Sequence, residues 1–236
     1  MSLEKPINKL KILILFTAYK RFEYTRRSIK AIEDAQKYGP NVTFILINDG
    51  SPGKETSKIL EGCKLNKRVI NHKENIGLRN RTIDFFDIVR KDNPDFICKL
   101  DNDVMVPKNW LNDMLEVFRT TDVDILSANC NPSNPAYTIG IDDVENKGYR
   151  PSHTVGQWLM KKEMIDDVCF ERTSLRGIWG SIHIMYQIVY EKKPNIGFTT
   201  KVVCENLGHN TGKHPEAIKT DEYRKYYKES GRHVTW

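Results

Sequence analysis

FICKLDND, at positions 96–103, begins as an apolar run and stops at two carboxylates separated by one residue. We interpret it as a strand that is followed by a metal site at its carboxyl end. Side chains alternate along a strand, so Asp101 and Asp103 point to the same side and could share one hard cation. Spacing alone decides nothing, because a second D-x-D, formed by Asp122 and Asp124, precedes a strand instead of ending one. Ligands collect at the carboxyl ends of strands in open α/β sheets, which favours the first pair as a site.

The composition is typical of an ordinary folded protein. Of the 236 residues, 39% are hydrophobic and 29% are charged, which suits one large α/β domain with a substantial core. The net charge of +6 favours anionic partners, meaning a nucleotide diphosphate, an acidic glycan, a membrane surface or nucleic acid. It does not choose among them.

Targeting and disulfide signals are weak. The longest apolar run, residues 12–16, is far too short to span a membrane, and residues 1–10 lack the apolar core of a signal peptide. We therefore expect a cytoplasmic protein. The cysteines are scattered and never form a C-x-x-C pair, which argues against a disulfide framework and against a zinc site.

Strand-like and helix-like segments alternate along the first half. Four aliphatic runs have the length of strands, namely residues 11–16, 42–47, 69–70 and 96–100. Helical segments separate them at residues 25–37, 54–63 and around 83–89. This cadence predicts a parallel, right-handed, doubly wound sheet. Ser51 is expected to cap the second helix, with Pro52 at its first position. In the second half of the chain, we expect a short helix at residues 163–168 and a short strand at residues 201–205.

Polar loops follow the predicted strands and should converge on one rim of the sheet. They comprise residues 17–21, 48–53, 75–81 and 101–103. Their convergence predicts a pocket for a ligand with a base, a sugar and phosphates. No G-x-G-x-x-G or G-x-x-x-x-G-K-[ST] pattern opens a helix in this sequence, which disfavours a dinucleotide fold and a P-loop.

Three motifs in this order resemble the nucleotide-binding half of GT-A fold glycosyltransferases, in particular the inverting, nucleotide-sugar-dependent family two. KILILFTAYKR, residues 11–21, is similar to the family's opening strand and T-x-Y-N-R turn, with Lys20 where Asn is usual. INDGS, residues 47–51, resembles the D-D-G-S loop, and LDND, residues 100–103, matches the DXD element. The resemblance covers residues 11–118.

The resemblance implies a Rossmann-like α/β/α sandwich around a mostly parallel central sheet, with a C-terminal acceptor-binding subregion. We divide the chain accordingly into a nucleotide-sugar-binding half, residues 1–123, and an acceptor-binding half, residues 124–236. Together the halves are expected to form one compact domain.

The resemblance also assigns donor contacts. Asp49 would contact the uracil of a UDP-sugar. Arg79 or Arg81 would supply a basic contact, because the family's usual Arg position holds Thr82; the alternative for either is a solvated arginine on a helix face. The remaining expected donor contacts are Thr17, Tyr19, Arg21, Asn75, Asp101 and Asn102, and strand-end packing is the alternative for Thr17 and Tyr19.

A divalent ion, Mn²⁺ or Mg²⁺, is implied as the cofactor. Asp101 and Asp103 would hold it against the diphosphate. His209 fits the C-terminal histidine that many GT-A enzymes place on the metal, with His214 as the alternative and a turn-capping role as another. Imidazole and carboxylate ligands together suit Mn²⁺.

The family's catalytic base is not evident. An aromatic-Gly pair, residues 179–180, is present, but the acidic element that follows it in the family is missing. His183 is the nearest protonatable side chain, and imidazole is a competent base near neutral pH. A structural role for His183 stays open, and the alternative bases are Asp142, Asp143 and Glu205.

The resemblance implies metal-dependent transfer of a sugar, with inversion, from a nucleoside diphosphate sugar to a hydroxyl of a glycan, lipid-linked or protein acceptor. Nucleotidyl transfer onto a sugar phosphate is a second interpretation, although its glycine-rich basic signature is not seen near the first strand. The missing family base and the +6 charge motivate a third, a nonreacting nucleotide-sugar-binding or nucleic-acid-binding module. For the favoured function we expect no nucleic-acid partner. The basic, aromatic segment 215–230, expected to be a helix, could touch a membrane surface.

Overall fold

The computed structural model describes residues 5–129, 157–172 and 178–207. Its strands are β1 (Ile12–Ala18), β2 (Val42–Asn48), β3 (Lys67–Asn71), β4 (Phe96–Asp101), β5 (Val104–Met105), β6 (Ile125–Asn129), β7 (Trp158–Lys161), β8 (Ile196–Val203) and β9 (Glu205–Asn206). Its α-helices are α1 (Phe22–Ala35), α2 (Glu55–Gly62), α3 (Gly77–Asp92), α4 (Trp110–Thr120) and α5 (Ile178–Lys192).

Seven strands form one sheet in the order β3-β2-β1-β4-β7-β6-β8. The first four of these are parallel to one another, whereas β7 runs antiparallel to both β4 and β6, and β8 is parallel to β6. Strands β5 and β9 form a separate antiparallel pair. The predicted α/β architecture with a mostly parallel central sheet is therefore confirmed, and strands from both predicted halves contribute to the sheet.

Helices cover both faces of the sheet, which explains why β1 is apolar along its length. All seven of its residues are buried. Ile12, Ile14 and Phe16 face the cluster formed with α1 and α4. Leu13 and Leu15 face the opposite cluster, formed with α3 and α5. Burial on both faces produces a continuous aliphatic run instead of an alternating one.

The helices begin and end where local chemistry permits. In α1 the buried positions Thr25, Ser28, Ile29 and Ile32 recur at spacings of three and four, as expected for a helix with one face on the core. Helix α3 is capped by Asn93, whose left-handed backbone (φ 49°) lets its N–H donate to the Val89 carbonyl at 2.8 Å.

The predicted cap of the second helix is wrong. Helix α2 begins at Glu55, and its N-terminus has no side-chain cap. Ser51 Oγ instead accepts the Lys20 N–H at 2.9 Å. The hydroxyl therefore joins the loops after β1 and β2, because the turn after β2 extends further than the Ser-Pro pair suggests.

Two boundaries in the second half also differ from the sequence prediction. The short helix predicted at residues 163–168 is a 3-10 turn, Lys162–Ile165, and the left-handed Asp167 (φ 60°) is incompatible with its continuation. The strand predicted at residues 201–205 begins at Ile196, because its first residues pair with β6. The helix predicted at residues 215–230 lies outside the described residues.

Among the helices that the structure does describe, none combines the length and apolarity needed to cross a membrane.

Candidate active site

The carboxyl ends of β1, β2 and β4 lie side by side, because these strands are parallel neighbours. Thr17 is in register with Asp101 of β4, and Ala18 is in register with Asn48 of β2. The Asp49 N–H donates to the Ala18 carbonyl at 2.8 Å, which holds the loop after β2 against β1. The acidic loops singled out in the sequence therefore meet on one rim.

Asp49 is a fully buried carboxylate at this rim. Its Oδ1 accepts the Ile76 N–H at 2.9 Å, and its Oδ2 accepts a hydrogen bond from Arg81 Nη1 at 2.8 Å. The Arg81 side chain is itself only 12% exposed. A buried charge persists when it is paired and hydrogen-bonded, as this one is. The pair fastens the start of α3 to the end of β2.

Gly50 allows a close approach between this loop and the segment that leads into α3. Its φ is +67°, a left-handed conformation that side chains rarely adopt, and a Cβ on it would lie 2.3 Å from the backbone carbon of Glu74. That distance is well inside van der Waals contact. Only glycine fits here without a backbone shift.

Arg79 is not brought to the rim. It is 6% exposed, and its Nε donates to the Glu171 carbonyl at 2.8 Å, while its Nη2 lies 3.5 Å from Gln187 Oε1. Burial lowers the pKa of this guanidinium, and Glu171 partly opposes that effect. Of the two arginines proposed for the basic contact, only Arg81 is joined to Asp49.

Lys99 is a site residue that the sequence analysis missed. It lies within β4, it is fully buried, and its Nζ donates to Asp101 Oδ1 at 2.6 Å. Asp101 is 28% exposed, so the pair reaches from the core to the rim. The available signal was a charged residue inside an apolar strand, two positions before an acid and hence on the same face.

Arg21 pairs with the second acid of the D-x-D element. Its Nη1 donates to Asp103 Oδ2 at 2.9 Å, with the two side chains 28% and 18% exposed. Lys20 and Arg21 both have left-handed backbones, with φ of 54° and 49°. Such conformations cost about 1 kcal/mol or more for a non-glycine residue, and they concentrate at functional sites.

The other predicted donor contacts occupy different surroundings. Asn102 Nδ2 donates to Thr25 Oγ1 at 3.0 Å, so this side chain is bound to α1. Asn75 Oδ1 accepts the Gly77 N–H at 3.0 Å at the start of α3. Thr17 is buried at the end of β1, and the half-buried Tyr19 has Lys20 Nζ 5.4 Å from its ring centre.

The two D-x-D carboxylates have the chemistry of a hard-cation site. Both side chains are partly exposed at the rim, and carboxylate oxygens are the ligands that Mg²⁺ and Mn²⁺ accept. Across residues 5–129, 157–172 and 178–207, no group of three or more His, Cys, Asp or Glu side chains is arranged to hold a metal. The third predicted ligand, His209, and its alternative, His214, lie outside those ranges.

The chain leading towards His209 passes the D-x-D element. Glu205 and Asn206 form β9, which pairs with β5 directly after Asp103. The Leu207 N–H then donates to the Asp103 carbonyl at 2.7 Å. The described residues therefore fit a site built on Asp101 and Asp103, to which the following segment could add a ligand.

Two of the four candidate bases, His183 and Glu205, lie within the described residues, on different elements. His183 is an exposed residue in the second turn of α5, and the structure gives it no contact with the rim acids. Glu205 is half-buried and is in register with Met105, two positions after Asp103. Asp142 and Asp143 lie outside the described residues. His183 as the base stays a prediction.

Each acid on the rim thus faces a cation, in the pairs Asp49–Arg81, Asp101–Lys99 and Asp103–Arg21. A diphosphate brings further negative charge and would be attracted by basic groups freed from these pairs or by an added cation. A separate cleft of about 680 Å³ lies beyond Arg90, at the opposite end of α3 from Arg81. None of the rim acids Asp49, Asp101 and Asp103 lines this cleft.

Solved structures with this architecture include TarS and a mannosyltransferase, both of low sequence identity to this chain. Residues 1–349 of TarS from S. aureus give a TM-score of 0.66 at 12% identity, over 84% of this chain and 61% of that one. The same TarS segment in complex with UDP gives 0.65 at 14% identity, over 82% and 60%. The mannosyltransferase PcManGT from Pyrobaculum calidifontis, in complex with GDP-Man and Mn²⁺, gives 0.64 at 12% identity, over 99% and 69%.

At these identities the likeness shows the fold alone, and the chain spans about three fifths of the TarS segment. No curated protein sequence matches the chain significantly. The sequence model of the family "Glycosyl transferase family 2" matches residues 13–141, more than half of the chain, from β1 through the rim acids to β6. The chain therefore belongs to glycosyl transferase family 2.

Proposed function

We propose that this protein transfers a sugar from a nucleoside diphosphate sugar to a hydroxyl acceptor. The observation that carries the proposal is the meeting of the D-x-D acids with the Asp49–Arg81 pair on one rim, within a family 2 chain. A base-reading group and a diphosphate-binding group must lie within the length of one nucleotide. Neighbouring parallel strands β2, β1 and β4 supply that spacing.

We propose a UDP-sugar as the donor. Asp49 and Arg81 would recognise the base, and because both Asp49 oxygens already accept hydrogen bonds, recognition falls on the pair as a unit. Arg21 would donate to the diphosphate after leaving Asp103, since a guanidinium binds phosphate oxygens in a bidentate manner. TarS in complex with UDP shares the fold, which is compatible with this donor.

A divalent ion is proposed as the cofactor. Asp103, together with Asp101 and His209, would hold Mn²⁺ or Mg²⁺, which when bound supplies charge neutralisation for the departing diphosphate. PcManGT carries Mn²⁺ in a structure with the same fold, which supports the choice of ion. The chain's own contribution is a pair of carboxylates, Asp101 at the end of β4 and Asp103 in the turn between β4 and β5.

The acceptor hydroxyl needs a base on the opposite face of the sugar for in-line displacement with inversion. We propose that His183 accepts the proton from this hydroxyl oxygen, and Glu205 is the alternative that lies beside the D-x-D element. A glycan, lipid-linked or protein acceptor would be used.

We also propose a cytoplasmic location with peripheral membrane contact through residues 215–230, based on their basic and aromatic composition.

The proposal is tested by incubating the protein with a panel of nucleotide sugars and Mn²⁺ and measuring the release of nucleoside diphosphate. We expect slow hydrolysis of one UDP-sugar, which chelation of the metal stops. Release of pyrophosphate from a nucleoside triphosphate and a sugar phosphate would indicate nucleotidyl transfer instead. If single-stranded RNA bound more tightly than UDP in calorimetry, and no donor were hydrolysed, a binding module would be the better description.

A further inference from the structure

Lys99 is a fully buried ammonium group in the centre of the sheet. In the parallel pair of β1 and β4 it is in register with Leu15, and in the antiparallel pair of β4 and β7 it is in register with Trp158. Both neighbours are buried and belong to the apolar cluster under α3 and α5. The lysine stem therefore occupies a position at which an aliphatic side chain would pack equally well.

A charge at such a position is costly unless it is compensated. Removing an ammonium from water carries a penalty of several kcal/mol, which a close partner must offset. Lys99 meets that requirement by donating to Asp101 Oδ1 at 2.6 Å. Fold stability alone gives no reason to keep the pair, because well-packed apolar residues often replace buried ion pairs without loss.

We propose that Lys99 is a positioning residue of the D-x-D element. Its permanent positive charge acts on the site through Asp101. It fixes one Asp101 oxygen and cancels the charge of that carboxylate, so that a divalent ion is held chiefly by Asp103. It also contributes a permanent positive potential to the diphosphate position. This inference rests on the proposed nucleotide-sugar function and names a residue for its charge balance.

The inference predicts effects of opposite sign on two ligands. Lys99→Met keeps an apolar stem of similar length and removes one positive charge. Mn²⁺ alone should bind Lys99→Met more tightly than the parent, because Asp101 is no longer neutralised. UDP without metal should bind less tightly, because the rim has lost positive potential. A unit charge acting over several ångströms near a protein surface is expected to change either affinity by about tenfold or more.

Lys161→Met is the matched control. Lys161 lies on β7, pairs with Asp124 at 2.7 Å, and is in register with Phe96 at the other end of β4. The substitution removes the same charge from a lysine–aspartate pair in the same sheet, far from the rim. Calorimetry on the full chain would measure Mn²⁺ without nucleotide and UDP in the presence of a chelator, with thermal unfolding as a check.

The expected result is tighter Mn²⁺ binding and weaker metal-free UDP binding in Lys99→Met, with neither change in Lys161→Met. Loss of both affinities together in Lys99→Met would indicate a merely structural lysine and would overturn the inference. Equal effects of the two substitutions would overturn it as well. If the parent protein bound no nucleotide, both the proposed function and this inference would be wrong. If the parent bound UDP and Lys99→Met bound Mn²⁺ and UDP with unchanged affinities, only this inference would be wrong.

A second pair of variants covers the case in which Lys99→Met does not fold. Asp101→Asn removes the charge of the carboxylate to which Lys99 donates, and the double variant Lys99→Met/Asp101→Asn removes both charges of this pair. Mn²⁺ should bind the double variant about tenfold more tightly than Asp101→Asn. Identical Mn²⁺ affinities in these two variants would show that the Lys99 charge is not sensed at the site.

Discussion

The Arg81 guanidinium donates to the Asp49 carboxylate at 2.8 Å, and the Asp49 side chain has no exposed surface. The second Asp49 oxygen accepts the Ile76 N–H, so the carboxylate joins β2 to the start of α3 without any ligand. A residue that the family resemblance assigned to base recognition is therefore also part of the scaffold. Its substitution should change both stability and binding.

Asp49→Ala should lower the free energy of unfolding by about 3–5 kcal/mol, because it removes the carboxylate that accepts hydrogen bonds from the nearly buried Arg81 and from the Ile76 N–H. Chemical denaturation measures this directly. Asp34→Ala is the control, since Asp34 pairs with Lys30 on the exposed face of α1, and such pairs contribute only about 0.3–0.5 kcal/mol. Equal stability losses in the two variants would contradict a structural role for Asp49.

Gly50→Ala should destabilise the protein by about 2 kcal/mol or more, because the new methyl group would meet the Glu74 backbone and the left-handed φ is unfavourable for alanine. UDP affinity should fall with it, since Gly50 adjoins Asp49. Gly39→Ala is the control, as a Cβ there has no atom within 4 Å. A Gly50→Ala variant as stable as Gly39→Ala would show that the loop can move without cost.

Asp103→Asn should abolish the part of UDP binding that depends on Mn²⁺, while the unfolding temperature stays nearly unchanged. The substitution is isosteric and the partly exposed side chain lies in the turn between β4 and β5, so no core cavity forms. Calorimetry with Mn²⁺ and then with a chelator measures the difference. Asp122→Asn, in the other D-x-D sequence, should keep the full metal effect; undiminished metal dependence in Asp103→Asn would reject Asp103 as a ligand.

Strands β1, β2 and β4 and the rim acids could be predicted because their signals are local. Strands buried on both faces require continuous aliphatic runs, and residues 11–16, 42–47 and 96–100 provide them. Because the aliphatic run ends at Leu100, the sequence itself places Asp101 at the end of β4 and Asp103 two residues later. The reversed direction of β7 was not predictable in this way, since it depends on which distant strands flank it.

The choice between Arg79 and Arg81 was predictable in part. Arg79 is in phase with Ile83 and Phe86, at spacings of four and seven, and therefore lies on the buried stripe of α3. Arg81 lies off that stripe. Helical periodicity could have assigned Arg79 to packing before the structure was known, but it could not show that Arg81 meets Asp49.

The sequence could not predict which distant side chains form ion pairs. Arg21 and Asp103 are 82 positions apart, and their pairing depends on the left-handed turn after β1. Lys99 was visible as a charge inside an apolar run, yet its partner follows from strand alternation only after β4 is known to be fully covered. The Arg21–Asp103 pair arises from tertiary proximity, which local pattern does not encode, whereas the Lys99–Asp101 pair is local.

His183→Ala tests the assignment of the base, and His209→Ala and Glu205→Gln are its comparisons. If His183 takes the proton of the acceptor hydroxyl, its loss should lower kcat by roughly 10²–10⁴-fold and leave UDP affinity unchanged, because the residue acts on the acceptor and not on the nucleotide. A metal ligand behaves differently, so His209→Ala should weaken Mn²⁺ and UDP binding together, and added Mn²⁺ should partly restore the rate. Steady-state kinetics with the donor found in the panel, combined with UDP calorimetry, separates these patterns. Full turnover in His183→Ala, with a loss of rate but not of UDP affinity in Glu205→Gln, would transfer the role to the glutamate that β9 holds beside the D-x-D element.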